Sequence, residues 1–305
     1  MGEGMKTEVM VKIRGWPFSS LGVIIVVALV GAMLGALVYY SLPALTKEGL
    51  LIYTTNRWDP NAGSFGGLAA IYGTFVVSLV AVTMSMPLAV GSAIFINEFT
   101  PGRLRGLLIA INDMMAGFPT VIYGFWGLYV LGPTLNPTLF TWLHSNLGFI
   151  PLFSTRPIGG SYLLAATVLA VMITPFASSL VREVYAQVPS VMVEGIYALG
   201  LTKLDAVKIK LSYIAKSLLG ALSLALGRGI GETVAVALTV GGVLKVSPSL
   251  LSPGITIPSL IANQFGSAYT QIEQSAMLSL ALLLFAIGLT FIIASKLVLL
   301  RGGAR

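Results

Sequence analysis

Six stretches of this chain, near 18–42, 71–96, 107–131, 161–181, 217–244 and 276–299, are apolar for about the 20 residues that a helix needs to cross a bilayer's hydrocarbon core. Within lipid every backbone N–H and C=O must be satisfied inside the protein, so runs of this length are helices. Hydrophobic residues make up 56% of the 305 and charged ones only 10%, which leaves no room for a sizeable water-soluble domain. The expectation is an all-α polytopic membrane protein of about six transmembrane helices, with 1–17 as a cytoplasmic tail and 18–305 as the membrane domain. The third stretch contains Gly117 and Pro119, with Asp113 near its start. It is expected to kink or break, because proline removes a backbone donor and clashes with the preceding turn. The first run exceeds a signal-peptide core and lacks a small-residue cleavage site after Tyr39 and Tyr40, so it reads as a retained span.

Charge then orients the bundle. One set of inter-span segments carries Lys6, Lys12, Arg14, Arg103, Arg105, Arg182, Lys203, Lys208, Lys210, Lys216, Lys296, Arg301 and Arg305, while the other carries Lys47, Arg57, Arg156 and Lys245. Under the positive-inside rule both termini are cytoplasmic. The formal charge of +7 is accounted for by this topology and requires no nucleic-acid partner. Cysteine is absent, which removes disulfides and thiolate metal sites, and the single His144, placed in an outward loop, lacks the company that a metal ligand needs. No metal site is expected.

Arg228 and Glu232 lie inside the fifth apolar run. A central arginine costs about 2.5–3.5 kcal/mol to insert, so it faces a bundle interior, a polar cavity or a counter-ion. The four-residue spacing predicts that both side chains share one helix face. Two readings are open: a buried ion pair that fixes helix register, or a polar station for an anion. Gly227 and Gly231 form a GxxxG, read first as helix packing. Elsewhere, Asp113 reads as a helix-start or interfacial residue, and Glu98 with Arg103 and Arg105 as a solvated turn. Tyr123, Phe125, Trp126 and Tyr129 read as an interfacial belt. Residues 132–160 and 245–274 read as outer loops with short surface helices.

The longest polar segment, 182–216, carries a helix–hinge–helix pattern. Pro189 can start the first helix, Val191, Val193, Ile196, Tyr197 and Leu199 give it an apolar face, and Gly200 can end it in a left-handed turn. Thr202 with Asp205 signals the second start, followed by Leu204, Val207 and Leu211. The periodicity suits a membrane-surface hairpin or a docking element for a cytoplasmic protein.

Glu194, Gly195, Ile196, Tyr197, Ala198, Leu199 and Gly200, followed by Lys208 to Leu211, resemble the EAA loop of type I ABC-importer permeases. The pattern there is Glu-Ala-Ala, three residues, Gly, nine residues, then Ile-x-Leu-Pro. Gly195 and Ile196 replace the alanines, Ser212 stands for the proline, and Ile209 to Leu211 falls one residue early. The run from Ala225 to Val236, containing Leu226-Gly227-Arg228 and Glu232-Thr233-Val234-Ala235, is similar to the signature of the Pst phosphate permeases, C-type subunit. Asn97-Glu98-Phe99 with Pro101, the stretch 115–124 and the stretch 258–265 agree, so the likeness covers a core of 67–299.

That resemblance implies a type I ABC-importer permease fold with cytoplasmic coupling helices, in the plasma membrane, importing inorganic phosphate. It implies Arg228, Glu232 and Thr233 in the substrate pathway, and Glu194, Gly195, Ile196, Ala198, Leu199 and Gly200 in coupling to an ATPase. Another oxyanion such as molybdate or sulfate, or an ion-coupled carrier working alone, are the rival readings. A carrier would show broken helices in matching halves, and only the Pro119 break is visible in the sequence. The chain has no G-x-x-x-x-G-K-[ST] loop, so it is not expected to hydrolyse ATP or to bind a cofactor. Expected partners are a homologous A-type permease, two ATP-binding subunits that use ATP and magnesium, an extracytoplasmic phosphate-binding protein and the bilayer.

Overall fold

The structure, a computed structural model, describes the backbone of residues 3–302 and the side chains of residues 20–293. The side chains of Lys6, Lys12, Arg14, Lys296, Arg301 and Arg305 lie outside the described residues, while the backbone of 3–17, expected as a separate tail, continues into the first helix. Helices run in the order α1 (Glu3–Glu48), α2 (Leu68–Ile94), α3 (Gly102–Ala116), α4 (Thr120–Leu147), α5 (Tyr162–Tyr185), α6 (Ser190–Ala198), α7 (Lys203–Ile230), α8 (Val234–Thr239), α9 (Ile257–Gln264) and α10 (Gln271–Gly302). A short antiparallel hairpin, Trp58–Asp59 against Ser64–Phe65, links α1 to α2. Among the described residues five helices are long and apolar enough to cross a membrane, six if the pair α3–α4, bent by 88°, is one broken span. The chain is a multi-pass membrane protein.

Helix α5 is the spine. Ser161 caps it by accepting from the Leu164 N–H at 3.1 Å. Its row Ala165, Leu169, Ile173, Ala177 and Val181 is buried, as is the row Gly73, Val77, Ala81, Ser85, Ala89 and Ala93 of α2. Both rows repeat every four residues, the ridge spacing that interlocks two helices. Small residues let the backbones close, which matters where lipid offers no hydrophobic drive to association. Ser92 Oγ donates to Ser178 Oγ at 2.9 Å across the same interface. A Cβ on Gly73 would collide with the Ile255 carbonyl, so glycine is required there. Helix α1 by contrast leaves its most apolar window wholly uncovered and rests on α10.

Three expected boundaries are corrected. The fourth helix does not stop at 131 but runs on to Leu147 through two widened π turns, Gly127–Leu131 and Asn136–Phe140. Pro133 stands at the start of the short α-helical stretch Gly132–Leu135 between them, and Pro137 at the start of the second π turn. His144 therefore lies on a helix, its Nδ1 3.0 Å from the Phe153 carbonyl. The fifth span is displaced: α7 crosses as Lys203–Ile230, an unbroken extension of the second helix expected in 182–216, and the polar segment shrinks to 186–202. The apolar residues 234–244 do not continue that span. They form the single short α8 and a loop in which Gly241 and Gly242 take positive φ. The loop folds back onto α5, with Tyr162 N–H donating to the Ser252 carbonyl and Tyr162 Oη to the Lys245 carbonyl at 2.9 Å. Helix α9 is correspondingly buried, not superficial, with Ile257 and Leu260 in the core.

Candidate functional site

Two interrupted helices meet at the expected pathway. The first break is Gly117–Phe118–Pro119, where Pro119 cannot donate and the chain turns from α3 into α4. Tyr123 Oη donates to the Met115 carbonyl at 2.8 Å, satisfying one of the groups freed at the end of α3. Tyr123 thus belongs to the break, while Phe125 and Tyr129 stack outward at 6.0 Å and fit the expected belt. The second break is Gly231–Glu232–Thr233, between α7 and α8. It is the counterpart in the second half that sequence reading missed. The two are packed together: a Cβ on Gly124 would press on Leu238 and Ala235, and one on Gly127 on Val168 and Thr239.

Arg228 occupies the last turn of α7, where a cation suits the carboxyl end of the helix dipole. It is half-buried, its guanidinium lies 5.2 Å from the centre of the Phe176 ring on α5, and it interacts electrostatically with Tyr123. Glu232 does not share a helix face with it. The helix ends two residues earlier, and buried Glu232 Oε1 instead accepts from the Ala235 N–H at 3.3 Å, capping α8. Arg228 forms no ion pair among the described residues, and its Nε is buried without a hydrogen-bond partner. The expected buried pair is therefore replaced by a cation whose donors are largely uncommitted. Thr233 sits in the break with its hydroxyl donating to the Gly231 carbonyl at 3.3 Å. The expected packing glycines also change: a Cβ on Gly227 meets open space and Gly231 faces only its own turn, while Gly229 is the one pressed against Ile173.

The expected helix–hinge–helix segment keeps its local signals. Pro189 caps α6, Gly200 takes φ +72°, and Thr202 and Asp205 form a reciprocal capping box at the start of α7. The exposed face differs from the apolar stripe expected. Ile196 turns inward and is buried, whereas Val191, Glu194, Gly195, Ala198 and Leu199, at helical spacing, face out, with Val191 77% and Leu199 79% exposed.

Two acidic residues are tied into the structure more firmly than expected. Asp113 lies near the end of α3, not at a helix start, and accepts from Arg182 at 2.6 Å and from Ser179 at 2.8 Å, joining α3 to α5. Glu98 is not in a solvated turn: it accepts from Lys210 Nζ at 2.7 Å and from Tyr185 Oη at 2.8 Å, with only about a tenth of either ion-pair side chain exposed. No spacing in the sequence connects Glu98 with a lysine 112 positions away.

The bundle, with a short amphipathic helix projecting from one end, has the ABC-importer permease fold. It superimposes on a chain of the MetNI methionine ABC transporter in an inward-facing conformation with a TM-score of 0.51 at 17% identity, covering 76% of this chain and 95% of that one. At the sequence level the chain is 42% identical over 263 residues to the probable phosphate transport system permease protein PstC of Methanocaldococcus jannaschii, covering 84% of each. It is 40% identical over 282 residues to the phosphate transport system permease protein PstC of Xylella fastidiosa, 91% of this chain and 86% of that one. The chain belongs to the PstC family of permeases. No protein-family model matches it.

Proposed function

We propose that this chain forms half of the translocation path of an ATP-driven inorganic phosphate importer, with Arg228 as the anion's station inside the membrane. One observation carries the reading: a half-buried guanidinium, without a carboxylate partner among the described residues, stands where two broken helices meet. Phosphate oxygens match the planar guanidinium fork, so one arginine supplies charge and directed donors together. Phe176 holds the cation through its ring face. Thr233 offers a hydroxyl in the same break, and Glu232 acts through the backbone by capping α8. Relatives named as phosphate transport permeases supply the substrate.

The outward stripe of α6, Val191, Glu194, Gly195, Ala198 and Leu199, docks on an ATP-binding subunit, and Gly200 frees the hinge behind it. Two such subunits hydrolyse ATP with magnesium, this chain itself having no ATPase site and holding no cofactor. A homologous A-type permease completes the pore against the open Gly227 surface, and an extracytoplasmic binding protein delivers phosphate. The complex sits in the plasma membrane with both termini cytoplasmic, as the excess of basic residues on one side requires. Alternating access follows if the inward and outward states differ in affinity for the anion.

The test is uptake into proteoliposomes containing the assembled complex, with labelled phosphate and with sulfate or molybdate as competitors. ATP-dependent accumulation of phosphate that tenfold sulfate or molybdate does not suppress is expected. Preferential accumulation of another oxyanion, or uptake driven by an ion gradient without the ATPase subunits, overturns the reading.

A further inference from the structure

Three helices and both ends of the coupling segment converge on one buried charge. Glu98 lies in the π turn Phe95–Phe99 that ends α2, Tyr185 is the last residue of α5, and Lys210 sits two turns into α7. Glu98 Oε1 accepts from Lys210 Nζ at 2.7 Å and from Tyr185 Oη at 2.8 Å, and the ammonium stands 5.4 Å from the centre of the Tyr185 ring. Lys203, in the first turn of α7, adds a second attachment 5.3 Å from the centre of the Phe99 ring in the same π turn.

The placement is mechanical. Residues 186–202, which carry α6, leave the bundle immediately after Tyr185 and re-enter shortly before Lys210. Within α6 only Ile196 is buried, so the projecting helix has little grip of its own on the membrane body. Its position is set at the base, where the Glu98 carboxylate binds the departing strand through Tyr185 and the returning one through Lys210. An ion pair out of water is held to one geometry more tightly than an apolar contact, because displacing either partner strands a desolvated charge. Lys210 and Arg228 are eighteen residues apart on the same unbroken helix, about 27 Å at 1.5 Å per residue.

We infer that Glu98, Lys210 and Tyr185 form a positioning clamp that fixes the base of α6 to the adjoining ends of α2, α5 and α7, so that these ends move as one body and displacement of the ATPase-facing helix becomes displacement of Arg228. This inference rests on the transport reading above and adds the residues through which force enters the bundle. None of the three touches the substrate.

The experiment uses the complete complex with its binding protein in proteoliposomes, measuring phosphate uptake and ATP hydrolysis in the same preparation. Glu98→Gln and Lys210→Met are each expected to lower phosphate moved per ATP at least tenfold, with assembly retained and hydrolysis within about threefold of wild type. The exchanged pair Glu98→Lys with Lys210→Glu is expected to recover most of the ratio, which a merely space-filling role would not predict. Tyr185→Phe keeps the ring beneath Lys210 and removes one hydrogen bond; it is expected to lower the ratio severalfold, and it carries the test if either single charge variant fails to assemble. An unchanged phosphate-to-ATP ratio in the assembling variants overturns the clamp, as does a fall in uptake matched by an equal fall in hydrolysis. A wild-type complex that moves no phosphate would instead overturn the transport reading, whatever the variants do.

Discussion

Replacing Arg228 with glutamine separates a transport role from a structural one, because the two predict opposite balances. Glutamine keeps most of the length and two amide donors while removing the charge and the fork. In the folded chain the loss is small: the contact with Phe176 contributes about 1–2 kcal/mol at a partly desolvated site, and there is no ion pair among the described residues to break. Relieving a half-buried cation offsets part of that loss, so the melting temperature of the purified complex should stay within a few degrees of wild type. For the anion the loss is larger. A charge-assisted hydrogen bond contributes about 1.5–3 kcal/mol, so two of them from one fork amount to about 3–6 kcal/mol, or a factor of at least about 100. Phosphate uptake at substrate concentrations well below half-saturation, measured in proteoliposomes against a fluorescence melt of the same preparation, should therefore fall at least about 100-fold with the melt nearly unmoved. Arg228→Lys should fall in between, since the charge remains but bidentate geometry does not. Uptake within threefold of wild type in Arg228→Gln, or a collapse of the melt that accounts for lost uptake, refutes the assignment.

The other expectations concern packing, capping and docking. Gly73→Ala should lower stability by roughly 1–3 kcal/mol, because its Cβ would meet the Ile255 carbonyl; Gly227→Ala, facing open space, should leave the isolated chain's melt unchanged, and equal effects would refute the assignment of packing roles. Glu232→Ala should cost about 1 kcal/mol through loss of the α8 cap, with a melt lowered equally in Arg228→Gln and wild-type backgrounds; a coupled double-mutant cycle would reveal a direct pair instead. Leu199→Asp, at the exposed end of α6, should leave the chain folded while reducing recovery of the ATP-binding subunit by at least tenfold in a pull-down, and unchanged recovery would place the docking surface elsewhere.

What could be read from the sequence was what is encoded locally. Apolar length alone placed α2, α5 and α10, and the hinge of the coupling segment was written in neighbouring residues, with Pro189, Gly200 and the Thr202–Asp205 pair each acting within one turn. The break at Pro119 was equally visible, since proline carries its own signal. The break at Gly231–Thr233 was not: hydropathy continues smoothly into Val234–Thr239 and no proline interrupts it, so Arg228 and Glu232 looked like neighbours on one face. The outer loop expected from residue 132 onward erred in the other direction, because a π turn takes Pro137 inside α4. Glu98 and Lys210 lie beyond any local pattern, as two charges that meet only when α2 and α7 are packed on α5.

Because α7 runs without interruption from the Thr202 cap to Arg228, its two ends cannot respond independently. Thermodynamic linkage then makes the traffic two-way: if nucleotide-driven closure below changes anion affinity at Arg228 by some factor, occupancy by the anion must change the closure equilibrium by the same factor. If Arg228 holds the cargo and α6 meets the motor, as proposed, the stiff shaft between them is also a gauge, by which the motor senses whether anything is loaded before it turns.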